Sequence, residues 1–181
     1  STCIDADAGY YVGSTGQTSQ TECAAGTYQS ATGQSTCIDA DAGYYIDAGG
    51  SSDQIPCALG TYQPDAGQTS CLDADPGHYV DSTAQTTQTA CAAGTYQAST
   101  GQSSCNVADA GYYVGSTGQT SQTECAAGTY QASTGQSSCT DADAGYYVPT
   151  TGQTSQTACL AGTYQPDTGQ SSCIDADTGY Y

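Results

Sequence analysis

Residues 23–37 read CAAGTYQSATGQSTC, and residues 6–20 read ADAGYYVGSTGQTSQ. Laid one over the other, they keep Gly, Tyr and Thr-Gly-Gln in place and differ at their ends, where Cys faces Ala and Cys faces Gln. The correspondence extends along the whole chain. Cysteines stand at Cys3, Cys23, Cys37, Cys57, Cys71, Cys91, Cys105, Cys125, Cys139, Cys159 and Cys173, in alternating gaps of 20 and 14 residues. Tyr11, Tyr28, Tyr45 and their successors to Tyr181 recur every 17 residues, each two positions after a Gly. The unit is therefore a 17-residue module in two alternating versions, giving a 34-residue period, and such self-similarity marks a repeat architecture.

Superposition also bears on cysteine pairing. Where Cys23 and Cys37 stand in one module, Ala40 and Gln54 stand in the next, and both members vanish together again at Ala74 with Gln88, Ala108 with Gln122, and Ala142 with Gln156. Concerted loss is expected of bonded partners. The reading pairs Cys23 with Cys37, Cys57 with Cys71, Cys91 with Cys105, Cys125 with Cys139 and Cys159 with Cys173, leaving Cys3 over. Spacing alone also permits pairing across the 20-residue gaps, with Cys173 over. On the first scheme each bridge closes a loop of about 15 residues and contributes roughly 3 kcal/mol in the chain-entropy model.

Bridges are needed because composition supplies little else. The 181 residues contain no Phe, Trp or Met, and 36% hydrophobic residues with few Leu, Ile or Val do not build a large core. With no Lys or Arg and a formal charge of −18, the chain lacks the means to hold phosphate and repels nucleic acid and anionic membranes.

CAAGTYQSATGQSTC, CALGTYQPDAGQTSC and CLAGTYQPDTGQSSC resemble the Cys-x-x-Gly-Thr-Tyr hairpin modules of ephrin-receptor-like and tumour-necrosis-factor-receptor-like cysteine-rich repeats. The resemblance runs the full length. It implies an extracellular, elongated, disulfide-laddered array with the opening and closing cysteines of each unit bonded. In many relatives a Cys-x-x-Cys joins successive units, whereas here Ala40 stands three residues after Cys37, so half the usual bridges are absent. No ligand-binding residue of the family is carried by these motifs.

Within a module, Thr27-Tyr28-Gln29 reads as a strand and Gln34-Ser35-Thr36 as its return. Pro64-Asp65-Ala66-Gly67 and Pro166-Asp167-Thr168-Gly169 carry turn chemistry between them. Ala84 breaks the turn-glycine rule in a half that also has His78 for Tyr, so that module is expected to be the least regular. No apolar 3.6-residue period appears. The expected fold is all-β: an elongated tandem array of short disulfide-laddered hairpins with little hydrophobic core and no helix, spanning on the order of 100 to 150 Å. It forms one continuous array over 1–181, with 34-residue repeats starting near 3, 37, 71, 105 and 139 and a partial one from 173. Both ends fall inside the pattern, as in a window on a longer chain.

Candidate sites are few. The Asp-x-Asp pairs Asp5 with Asp7, Asp39 with Asp41, Asp73 with Asp75, Asp141 with Asp143 and Asp175 with Asp177 offer oxygen ligands to calcium beside a tight turn. Calcium takes six or more oxygens and usually a third acidic side chain, missing here, so these aspartates read more simply as solvated turn residues. No other cofactor is indicated. The Tyr ladder reads as a miniature core, with Tyr10, Tyr44, Tyr112, Tyr146 and Tyr180 on the opposite strand face as candidates for lateral contact. Ser14, Thr15, Thr18, Ser116, Thr117, Thr120, Thr150, Thr151 and Thr154 are O-glycan candidates in Ser/Thr-rich runs, and plain hairpin polarity accounts for them equally well. His78 has no Cys or Ser partner at motif spacing, and no Cys-x-x-Cys or phosphate loop exists, so neither catalysis nor a small-molecule substrate is expected. The leading function is structural: a self-associating, glycosylated component of an extracellular fibre, sheath or surface appendage. The alternative is a ligand-binding or adhesion ectodomain; a periodic ice-binding surface would need Thr-x-Thr on one flat face.

Overall fold

The computed structural model describes residues 3–177. Among these residues there is no helix, and twenty two-residue strands form ten two-stranded antiparallel sheets, one per module. Tyr10–Tyr11 pairs with Thr21–Glu22, Thr27–Tyr28 with Ile38–Asp39, and Tyr44–Tyr45 with Ile55–Pro56. Gly26 fixes the entry. The Thr27 N–H donates to the Ala24 carbonyl at 3.0 Å and Gly26 stands at φ +85°, a left-handed position that a side chain resists.

The return strand differs from the sequence reading. It lies at Ile38–Asp39, beyond the second cysteine, and Gln34-Ser35-Thr36 belongs to the loop. Gln29 is the reason: its Nε2 donates to the Thr36 carbonyl at 2.8 Å and its Oε1 accepts from the Ala31 N–H at 3.1 Å, pinning both sides of that loop.

The chain forms two compact units. The first is built on residues up to Asp75 with Tyr79–Thr89 and Thr100–Ser104; the second on Pro76–His78, Ala90–Ser99 and the chain from Cys105 on. In both, neighbouring modules are joined by the same three backbone bonds. In the first unit Gly26 N donates to Ile46 O at 2.9 Å, Gln29 N to Ser51 O at 3.1 Å, and Gly50 N returns to Cys23 O at 2.9 Å. In the second, Gly111 to Gln131, Val114 to Gln136 and Gly135 to Ala108 repeat them at 2.8, 3.0 and 2.8 Å. Alternate modules also touch. A Cβ on Gly26 would run into the carbonyl of Gly67, and one on Gly60 into that of Gly101, so only glycine permits this approach.

The buried residues lie three apart. Cys23, Gly26 and Gln29 are buried in one version, and Ala40, Gly43 and Ile46 in the other. This corrects the tyrosine reading: Tyr11, Tyr28, Tyr45 and Tyr62 are half-buried flank, and Tyr10 and Tyr44 are covered to a similar degree. The broad Tyr rings are left at the flank of layers held at backbone hydrogen-bond distance, and the buried places go to Ala, Cys, Gly, Val and Ile46 and to the loop-spanning glutamines. The expected irregularity at Ala84 is also absent. Ala84 takes φ +58° and its N–H meets Cys57 O at 2.9 Å, as Gly50 meets Cys23.

Candidate functional site

Each module closes its own loop, and the two versions do so by different chemistry. In the cysteine-bearing version the bonds are Cys23–Cys37, Cys57–Cys71, Cys91–Cys105, Cys125–Cys139 and Cys159–Cys173, with Cα atoms 5.7 to 5.8 Å apart. The opening cysteine is buried and the closing one half-exposed, except in the last pair, where both are half-exposed. Beneath the bridge a glutamine spans the loop. Gln29, Gln63, Gln131 and Gln165 donate to the carbonyls of Thr36, Ser70, Ser138 and Ser172.

In the cysteine-free version the glutamine that stands in place of the closing cysteine makes the closure. Gln54 Oε1 accepts the Asp41 N–H at 2.7 Å while its Nε2 donates to Asp41 Oδ2 at 2.7 Å. Gln20 with Asp7, Gln88 with Asp75, Gln122 with Asp109 and Gln156 with Asp143 repeat this two-point clasp. A carboxylate accepting an amide donor is a charge-assisted bond, stronger than a neutral one. These five glutamines were visible in the sequence as the recurrent substitute for cysteine. Their aspartate partner was not, because it lies beside the opening position rather than on it.

The clasp separates the members of each Asp-x-Asp pair. Asp7, Asp41, Asp75 and Asp143 bind glutamine, while Asp5, Asp39, Asp73 and Asp141 lie against turn glycines Gly33, Gly67, Gly101 and Gly169. Asp175 is an exposed strand residue opposite Thr163, and Asp177 is exposed. Among the described residues no three His, Cys, Asp or Glu side chains come together as a metal site would require.

The remaining candidates are dispersed. The nine Ser and Thr named above are exposed. Ser14, Ser116 and Thr150 accept from the amides of Gln17, Gln119 and Gln153, Thr151 donates to Glu124 at 2.9 Å, and Thr15, Thr18, Thr117, Thr120 and Thr154 make no side-chain hydrogen bond among the described residues. Thr27, Thr61, Thr95, Thr129 and Thr163 turn their hydroxyls into local carbonyls at 2.8 to 2.9 Å and so present no outward hydroxyl row. His78 Nδ1 lies 3.3 Å from Pro76 O. Cys3 is exposed and unbonded. The Tyr112 hydroxyl donates to Glu124 at 3.0 Å, and that bond, reinforced by the carboxylate's charge, raises its pKa above 10.0. Shallow open grooves occur at equivalent places in the repeat, as where Tyr11, Glu22, Ala24, Thr27, Thr36 and Cys37 line one and Tyr147, Leu160, Thr163, Ser172 and Cys173 another.

Among the described residues no helix is long and apolar enough to cross a membrane. No curated protein matches the chain. Residues 43–89 match the family model described as tyrosine-protein kinase ephrin type A/B receptor-like. That match is to a cysteine-rich receptor module rather than to an enzyme family, and disulfides at this density belong to an oxidising compartment, which together suggest an extracellular domain. Residues 43–89 are therefore similar to an ephrin-receptor-like repeat, and the modules on either side carry the same hairpins and regularly spaced disulfides.

Proposed function

We propose that the protein is a structural component of an extracellular fibre, sheath or surface appendage, O-glycosylated on the exposed loops of its cysteine-free modules and associating with itself. One observation carries this reading: the same self-contained closure recurs from module to module, each closing glutamine bonding the aspartate of its own module, and among the described residues no three His, Cys, Asp or Glu side chains come together. A binding protein needs a module that departs from its neighbours. Here even the module carrying Ala84 and His78 keeps the common backbone. Electron microscopy of the native material, with intact mass, tests the reading. Filaments and a mass above 18.2 kDa per chain are expected; a bare, monomeric species defeats it.

A second reading, an adhesion or ligand-binding ectodomain, is favoured by the family match at residues 43–89. It requires a soluble ligand that the isolated chain binds one to one.

A further inference from the structure

One face of the first unit bears exposed aliphatic side chains. Ile38 and Leu72 each stand opposite a half-buried tyrosine, Tyr28 and Tyr62, yet remain 47% and 48% exposed. They sit on alternate modules that touch each other, since Asp39, next to Ile38, lies against Gly67 of the module that carries Leu72. Asp5 against Gly33 places Ile4 in the same column, and Ile4 is exposed. The column thus reads Ile-Asp, Ile-Asp, Leu-Asp. In the second unit the corresponding residues include Asn106 and Thr140, so the 34-residue repeat does not itself demand an aliphatic residue here. Beside the column, the groove ending at Cys37 has a tyrosine ring, Tyr11, and a carboxylate, Glu22, on its walls.

An aliphatic row flanked by carboxylates is a poor match for a second copy. The chain has no Lys or Arg and a formal charge of −18, so two copies would bring Asp39 and Asp73 against more of the same charge. Sugars find hydroxyl and amide partners on the loops, not on Ile and Leu. A polypeptide that alternates basic and aliphatic residues fits each element: aliphatic side chains cover Ile38 and Leu72, cations meet Asp39 and Asp73, and a further cation lies over the Tyr11 ring beside Glu22. We propose that this face docks an extended basic segment of a partner protein, a role independent of the fibre reading.

The probe is a fluorescent peptide of alternating Lys and Leu, with a Lys/Ser peptide as control, titrated against the intact chain by anisotropy. The Lys/Leu peptide should bind more tightly, and more weakly as salt rises. Ile38→Ser with Leu72→Ser should lower its affinity about tenfold, from the lost aliphatic burial. Asp39→Asn with Asp73→Asn should lower it and flatten the salt dependence, whereas Ile55→Ser, on the intervening module, should leave it unchanged. These exposed changes leave every disulfide in place, and bridge mapping confirms folding. The proposal is overturned by equal binding of both peptides with no effect of the Ile38 and Leu72 changes, by absence of binding at low salt, or by self-association of the chain alone that those changes abolish.

Discussion

Ala84 holds φ +58° where the other turns use glycine. The left-handed conformation sets Cβ against the following carbonyl and costs on the order of 1 kcal/mol for an L residue. Ala84→Gly should therefore raise stability by about 1 kcal/mol in denaturant titration, although glycine normally weakens a chain. Gly60 tests the converse. Its φ is +81° and a Cβ there would collide with the Gly101 carbonyl, whereas Gly118, at φ +71°, has nothing within 4 Å of such an atom. Gly118→Ala should lose only the conformational term; Gly60→Ala adds a backbone clash and should lose roughly 3 kcal/mol or more. Equal losses would mean that alternate modules do not touch at these glycines. Tyr112 gives a pH test. Its neutral phenol is favoured by the bond to Glu124, so the tie contributes fully below the ordinary value of 10.0 and is lost as pH rises through the higher folded value. Ultraviolet titration should find Tyr112 ionising at higher pH than in the Glu124→Gln variant.

At the scale of the module, two closures with different chemistry hold one backbone. A disulfide lowers the entropy of the unfolded chain, worth roughly 3 kcal/mol for a loop of about 15 residues, while the two hydrogen bonds of an Asp–Gln clasp, exposed to water, contribute about 1 kcal/mol each. Gln54→Ala should cost about 1 to 2 kcal/mol and speed exchange of the Asp41 amide. Replacing Cys57 and Cys71 together by Ala should cost more, about 3 kcal/mol. A larger loss from the glutamine would reverse the ranking. The period, the all-β class and the strand at Thr27–Tyr28 were legible in the sequence because each rests on residues at fixed spacing. The return strand was not, since Ile38–Asp39 lies outside the cysteine-bounded stretch 23–37 while Gln34-Ser35-Thr36 lies within it; only the reach of Gln29 to Thr36 decides between them. The core was misread for a related reason. Hydrophobicity points to Tyr, but the buried places go to Cys, Ala, Gly, Val and Ile46 and to the loop-spanning glutamines, while the Tyr rings stand at the flank.

At the scale of the whole molecule, charge governs how copies approach. Like-charged chains repel over a Debye length of about 8 Å at physiological salt, so close lateral packing needs bound cations or a neutral layer between them. The aspartates offer little to a cation: Asp7, Asp41, Asp75, Asp109 and Asp143 are clasped by glutamine, and Asp5, Asp39, Asp73 and Asp141 lie separately against turn glycines. A divalent ion held by one carboxylate and water is readily exchanged. Among the described residues the exposed hydroxyls of Thr15, Thr18, Thr117, Thr120 and Thr154 make no side-chain bond that a sugar would have to break. Bundles of native material should accordingly survive calcium chelation at low ionic strength and disperse or collapse when O-linked sugar is removed, with the disulfides keeping each module folded in both treatments. Bundles that separate on chelation alone, and are indifferent to deglycosylation, would show that cations rather than a glycan layer hold the chains together.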